Sequence, residues 1–264
     1  LNFNPKIIEE DIFHKGIPNF SWHGEDLDIS VLFWQPLFKE MSKKVSVGLC
    51  GQGADELHGG YQRYKDLKSH YNLIKSRLDT NDLENNLDIA IGPGNPWHDD
   101  KIFYENNFSD LLSTLQFEID RGQLSNFQLR LADRHSMAFG LEARVPFLNN
   151  LHRQESHKVP LHWKISENEE KLALRKAAQL TKLPEEVVNR PKLPAGTATT
   201  PSLLSSFIDE LTPHTKEWID DYGILSKQLR NQPNMAIGLR LFHSVHMTER
   251  DINFKNADLM SLLE

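Results

Sequence analysis

Three stretches of this chain gather residue types suited to chemistry on anions. The first runs Leu49-Cys50-Gly51-Gln52-Gly53-Ala54-Asp55-Glu56-Leu57-His58-Gly59-Gly60-Tyr61. Glycines at 51 and 53 let backbone N–H groups come close to an anion or a nucleotide, because no side chain intervenes. Asp55 follows with one carboxylate, which suits Mg²⁺, an ion that keeps most of its waters and takes few protein ligands. The plain alternative is a tight turn with a capping aspartate. The pattern is not a dinucleotide fingerprint, because Glu56 stands at the third glycine position. It is not a Walker loop either, since no Gly-Lys-Ser or Gly-Lys-Thr occurs anywhere in the chain.

The second stretch, Leu131 to Leu148, mixes apolar positions at helical spacing with Asp133, Arg134, Glu142 and Arg144. Charges this close to an apolar face must be paired with one another or pointed at a ligand. A substrate-facing cluster and a structural ion-pair network both satisfy that requirement. The third stretch joins Leu172-Ala-Leu-Arg175-Lys176 to Asn189-Arg190-Pro191-Lys192-Leu193-Pro194-Ala195-Gly196-Thr197-Ala198-Thr199-Thr200. A lysine beside a loop of backbone amides and hydroxyls suits negative charge developing on a phosphoryl or pyrophosphate group. Lysine acts there as a point charge and tolerates approximate geometry. A flexible surface loop is the plain alternative.

These stretches need elements to hold them. Residues 6 to 44 alternate apolar and polar positions at helical spacing, and Pro18 and Pro36 divide the pattern into helix, loop and helix. Lys44 to Cys50 is a short apolar run with β-branched residues, read as a buried strand that leads into the Gly51-Gln52-Gly53 turn. Residues 78 to 112 are polar and turn-rich, as in Gly92-Pro93-Gly94-Asn95-Pro96, and read as an exposed excursion. Asp110 to Phe139 is helical by periodicity and ends at Pro146. Helices are expected from about 169 to 180 and from Pro184, with a mostly helical tail from Ser202 to Glu264. The expected fold class is α/β and helix-rich, with a short parallel sheet and a mostly helical C-terminal part.

Charge adds direction. The 264 residues carry 30 Lys plus Arg and 37 Asp plus Glu, a net charge of −7. Residues 121 to 195 alone hold 13 basic and 8 acidic side chains, a surplus of +5. An acidic chain with one basic stretch and no dense basic stripe suits a small anionic ligand better than nucleic acid, and a solvated face is the plain alternative. Cys50 is the only cysteine, so no intrachain disulfide framework exists, and a reducing, cytoplasmic setting is the expectation. No run approaches the roughly 18 to 20 apolar residues of a membrane span. The chain starts at Leu1, so a partial or excised product is expected. Twelve histidines invite a metal reading, with His243, His246 and Glu249 on one helix face, but scattered core and surface histidines explain them better.

In this order the three stretches resemble the synthetase domain of glutamine-hydrolysing asparagine synthetases. The resemblance rests on Cys50 to Glu56 with Gly59-Gly60-Tyr61, on Ser136-Met137 running into Glu142-Ala-Arg-Val-Pro-Phe-Leu148, and on Leu174-Arg175-Lys176 with Arg190-Pro191-Lys192. It implies a partial domain of the adenine-nucleotide alpha-hydrolase (ATP-pyrophosphatase) type over residues 1–200, with a helical extension over 201–264. It also implies an ATP- and Mg²⁺-dependent ligase reaction: a carboxylate, aspartate-like, is adenylated with loss of pyrophosphate, and ammonia or glutamine-derived nitrogen then forms an amide.

By the same resemblance, Cys50, Gly51 and Gly53 line the adenylate pocket and Asp55 binds the metal. Lys192 is the catalytic cation on the pyrophosphate, assisted by Arg190, Gly196 and Thr197. Gln52 takes the position of an acidic residue, and glutamine accepts no proton at neutral pH. The family's Ser-Gly-Gly-x-Asp-Ser pyrophosphate loop and its glutaminase domain are missing from these residues, so a partner chain or segment carrying them is expected. A β-lactam-synthetase-like cyclising ligase and a non-catalytic binding remnant are the alternatives.

Overall fold

A computed structural model describes residues 10–77, 103, 105–107, 110–193, 201–248 and 257–263. In chain order the elements are α1 (Glu10–Gly24), α2 (Trp34–Ser42), β1 (Val47–Leu49), α3 (Ala54–His58), α4 (Leu67–Arg77), α5 (Leu111–Asp120), α6 (Leu129–Met137), β2 (Glu142–Arg144), α7 (Asn150–Lys158), α8 (Leu161–Lys164), α9 (Leu172–Gln179) and α10 (Glu185–Val188). The tail supplies α11 (Pro201–Leu211), α12 (Thr215–Asp220), α13 (Ser226–Leu229), α14 (Pro233–Phe242) and α15 (Leu259–Leu263). The chain is helix-rich α/β, as expected. β1 and β2 pair, and the Glu142 N–H meets the Ser46 carbonyl while the Cys50 N–H meets the Arg144 carbonyl. Partners that advance together along both strands make the pair parallel.

Contacts divide the chain into two compact units. One comprises residues 1–48, 131–143 and 193–264; the other comprises 49–130 and 144–192. In the first, α1 places Phe13, Ile17 and Phe20 at helical spacing against Phe207 and Leu211 of α11, Ile237 and Leu241 of α14, and Leu262 and Leu263 of α15. Spacings of three and four residues put such side chains on one helix face, and their burial is the main favourable term in this unit. α14 comes close to its neighbours because Gly238 sits against the Leu27 carbonyl, where a Cβ would overlap it.

Three sequence expectations need correction here. Pro18 does not divide the helix; it lies inside α1. Packing of Phe13, Ile17 and Phe20 on one core outweighs the hydrogen bond that proline removes. Pro36 likewise lies within α2, in its first turn, where the missing N–H has no intrahelical acceptor to lose. The second correction concerns β1, which is three residues long and buried only at Gly48. Leu49 is 75% exposed. A fully covered strand needs layers on both faces, and among the described residues the sheet has two strands, with Gly48 packed on Met41 and Leu141. The periodic stretch from Asp110 to Phe139 is also interrupted, at Gly122, whose missing side chain leaves room for the Glu118 backbone between α5 and α6. The excursion over 78–112 falls mostly outside the described residues.

The first unit contains a polar site in its core. The Gln35 amide nitrogen donates to the Phe20 carbonyl at 2.6 Å and meets His135 Nδ1 at 2.7 Å, both buried. A nitrogen with two protons satisfies both contacts only if His135 Nδ1 is the acceptor, so the imidazole is neutral. Burial first, then the charges of His23 and Arg134, push His135 down to about 4. In the second unit, burial and then His152 do the same to His58, also to about 4. Histidines held neutral below their ordinary value of 6.5 contribute stability in full above that value, and lose it as pH falls from 6.5 toward 4. Urea midpoints should therefore fall steeply across that window, and His135→Phe should flatten the slope.

Candidate active site

The second unit assembles its polar site around α3. The chain leaves β1, turns through Gly51-Gln52-Gly53, and enters the helix. Gly53 has φ +89°, and a Cβ there would overlap the Leu148 side chain, so both backbone and packing require glycine. The other end of α3 closes on Gly59, at φ +69°, and the Gly60 N–H donates to the Asp55 carbonyl at 2.7 Å. Leu57 of this helix packs with Ile119 and Leu124 in a small apolar core that fixes its roll. Asp55 is thereby presented on one face and Glu56 on another.

Asp55 carries two cations. Lys171 Nζ lies 2.7 Å from Oδ1 and Lys192 Nζ lies 3.3 Å from Oδ2. Gly60 makes this possible, since a Cβ there would overlap both the Asp55 carboxylate and the Lys171 chain. Lys171 adopts φ +57°, a left-handed conformation that costs a non-glycine residue about 1–3 kcal/mol and is found where a side chain must be aimed. We expect Gly60→Ala to displace the Asp55–Lys171 pair. Overpacking at such a place costs about 1–3 kcal/mol. Urea unfolding measures that loss, and calorimetric titration with magnesium pyrophosphate should show weakened binding.

Lys192 is held from behind. Arg175 donates to the Val188 carbonyl and, at 2.9 Å, to the Arg190 carbonyl. Its Nη2 also meets Glu170 Oε1 at 2.8 Å, and the Lys192 N–H donates to the same oxygen at 3.2 Å. One guanidinium and one carboxylate thus fix the backbone from 188 to 192, and with it the stem of Lys192. Burial alone would raise the Glu170 carboxyl; the Lys192 N–H and Arg175 more than offset this and leave it lowered. Lys65 lies 3.7 Å from the other Glu170 oxygen. Four cations (Lys65, Lys171, Arg175, Lys192) against two carboxylates (Asp55, Glu170) give this cluster a formal surplus of +2. Lys65, Glu170, Arg175, Pro191 and Lys192 line a cavity of about 390 Å³.

Tyr61 forms the wall beside Lys192. Lys192 Nζ stands 5.3 Å from the ring centre and Arg63 Cζ 4.0 Å, so two cations use one aromatic face system. The Tyr61 hydroxyl accepts from the Gln128 amide at 2.7 Å. Arg63 in turn pairs with buried Glu118 at 2.9 Å, and His70 lies 3.8 Å from the other Glu118 oxygen. Burial would raise the Glu118 carboxyl, but the His70 contact and the Arg63 charge outweigh it and lower it.

The sequence-derived residues separate accordingly. Asp55 and Lys192 meet, with Gly60 against the Asp55 carboxylate and the Tyr61 ring beside Lys192. Cys50 commits its N–H to the Arg144 carbonyl at 2.7 Å, so that N–H is not open to a ligand, and burial raises its thiol. Gly51 has open space where a side chain would be, so a ligand can reach its backbone. Gln52 is half-buried in the turn and hydrogen-bonds through its side chain to no described residue. Arg190 is exposed. Gly196 and Thr197 lie outside the described residues.

Asp133, Arg134 and Glu142 belong to the other unit. There Arg134 pairs with Glu25 at 2.9 Å and donates to the Gly24 and Glu25 carbonyls, holding the end of α1. Asp133 and Glu142 are exposed, and so is Arg144 at the start of the second unit's 144–192 segment. Lys171, Glu170 and Lys65 were not legible as site residues, because only the folded chain brings them to Asp55. Of the histidine trio, His246 stacks on Trp22 and His243 meets the Tyr222 ring, while Glu249 lies outside the described residues.

Among the described residues no group of three or more His, Cys, Asp or Glu side chains gathers as a metal cage. Asp55 nevertheless fits a magnesium ion bound mainly through water and phosphate oxygens. Its two oxygens face Lys171 and Lys192, so a magnesium ion would share the carboxylate with these cations, which in turn suit the phosphates.

Comparison with known proteins settles the family. The asparagine synthase model matches residues 6–244. The chain belongs to the asparagine synthase family. It is 26% identical over 234 residues to asparagine synthetase [glutamine-hydrolyzing] 1 of Bacillus subtilis (strain 168), covering 71% of this chain and 37% of that protein. It is also 26% identical over 209 residues to asparagine synthetase [glutamine-hydrolyzing] 3 of the same organism, 71% of this chain and 31% of the relative. A putative asparagine synthetase [glutamine-hydrolyzing] of Mycobacterium tuberculosis (strain ATCC 25618 / H37Rv) matches at 26% over 237 residues, 71% and 35%. The chain therefore spans about a third of the length of these asparagine synthase relatives. No helix among the described residues is long and apolar enough to cross a membrane.

Proposed function

We propose that this chain is the synthetase part of an ATP-dependent carbon–nitrogen ligase. It activates a carboxylate, aspartate-like, as an acyl-adenylate with release of pyrophosphate, and the adenylate is then converted to an amide. A carboxylate is a poor electrophile, and adenylation gives it a good leaving group. The observation that carries this reading is the Asp55–Lys171–Lys192 cluster beside a basic cavity, in a chain of the asparagine synthase family. Lys192 neutralises charge that grows on the departing pyrophosphate, and such stabilisation is often the largest single term in a transition state. Lys171 shares that charge, Arg175 and Glu170 hold Lys192 in place, and Tyr61 limits its swing. Mg²⁺, when bound, offsets phosphate charge, and Asp55 is the residue to hold it. The segment that grips the triphosphate comes from another part of the protein or from a partner chain, as does the source of ammonia.

A second reading, a binding subunit without turnover, is favoured by Gln52, because attack by an amine must shed a proton that glutamine cannot take. Aspartate-dependent exchange between ATP and labelled pyrophosphate separates the two. The ligase reading expects exchange when the chain is combined with a protein bearing a Ser-Gly-Gly-x-Asp-Ser segment. Tight ATP binding with no exchange in that mixture supports the binding subunit.

A further inference from the structure

A second cavity in the same unit lies on the Glu56 side of α3. It measures about 300 Å³, at the lower end of the roughly 300–1,000 Å³ range of small-molecule sites. Glu56, Lys164 and His157 supply its charged or ionisable lining, and Leu112, Leu115 and Ile119 supply apolar surface from α5. Glu56 has 0% solvent exposure, and neither carboxylate oxygen has a hydrogen-bond partner. Burial pushes the Glu56 carboxyl above its ordinary range; its own backbone N–H and the Tyr61 hydroxyl pull the other way, and neither completes a hydrogen bond. Lys164, 3% exposed, donates to the Leu57 carbonyl at 2.7 Å, which leaves further N–H groups on the same nitrogen. The two do not pair with each other within 4.0 Å.

A carboxylate buried without partners is costly, and native proteins keep such groups where a ligand completes them. Opposite charges held apart, with apolar surface beside them, match the two ends and the side chain of one kind of molecule. We propose that this cavity binds a free α-amino acid with an apolar side chain. Its ammonium meets Glu56, its carboxylate meets Lys164 with His157 nearby, and its side chain lies on Leu112, Leu115 and Ile119. An acidic amino acid is disfavoured, because its second carboxylate would lie on apolar surface or beside Glu56. The site is independent of the ligase reading and needs no ATP.

Calorimetric titration of the full chain with leucine, aspartate, isoamylamine and 4-methylpentanoate, in the absence of nucleotide, tests the assignment. Leucine is expected to bind in the millimolar range or tighter. Aspartate and the two singly charged analogues should each be weaker by about tenfold or more, the change that loss of one charge-assisted hydrogen bond produces. Glu56→Gln should weaken leucine by a similar factor. Because Glu56 is buried, Gln116→Trp serves as the second variant: it fills the cavity from a half-buried position and leaves both charged groups in place. It should abolish leucine binding at unchanged helical circular dichroism. Absence of leucine binding, equal binding of aspartate, or undiminished affinity in either variant would overturn the proposal.

Discussion

Lys192→Ala should slow carboxylate adenylation by about 10²- to 10³-fold in the assembled enzyme, the usual effect of removing one preorganised transition-state donor. Affinity for ATP should fall much less, because Lys171, Lys65 and Arg175 still supply positive charge around the same cavity. The split between rate and affinity is the informative part. A cation that binds ground state and transition state alike would change both equally. Lys192→Arg should recover only part of the rate, since a planar fork does not reproduce a point charge in a space shaped by Gly60 and Tyr61. Exchange of labelled pyrophosphate into ATP measures the rate, and calorimetry measures the affinity. An unchanged rate would remove Lys192 from the mechanism.

Glu118→Ala should be among the most destabilising single changes in the second unit. It leaves Arg63 with no counter-charge, and breaking a buried pair in this way costs about 3–5 kcal/mol. Arg63 retains 23% exposure, which screens the orphaned charge and places the loss near the lower end, about 3 kcal/mol. Replacing both members together, Arg63→Met with Glu118→Leu, should recover much of the stability, because no uncompensated charge then remains. The double variant should still impair exchange, since Arg63 also holds the Tyr61 ring that faces Lys192. The Glu118 carboxyl is held below its ordinary value of 4.5, so its contribution is complete above that pH and disappears as pH falls through the lowered value. Urea titrations of the wild type and the two variants at pH 7 and pH 4 measure both effects. Equal loss in Glu118→Ala and in the double variant would show that packing, not charge, governs this site.

Much of this arrangement was legible before the fold was known, and the exceptions have physical causes. Glycine spacing and the apolar run before it were enough to place a strand over 44–50 and a turn over 51–53, because a tight turn leaves few residue types to choose from. The helix-rich character followed from apolar periodicity. Lys192 stood out through the loop it opens. Lys171 did not, since nothing local distinguishes it from other surface lysines; its role comes from the fold, which brings it to Asp55 through the gap that Gly60 leaves. Glu170 and Lys65 were hidden for the same reason. Pro18 misled because proline is a strong local breaker, while the decision in α1 is made by a nonlocal core. The run from 44 to 50 reads as a buried strand by its composition, but burial depends on how many strands and layers lie beside it.

The central claim is that Asp55, Lys171 and Lys192 form a site for a pyrophosphoryl group. Calorimetric titration of the chain with magnesium pyrophosphate, comparing wild type with Lys171→Met/Lys192→Met, tests it most directly. Two charge-assisted contacts at about tenfold each imply a loss of about 100-fold in the double variant at unchanged fold. Pyrophosphate affinity that is absent in the wild type, or undiminished in the double variant, would contradict it.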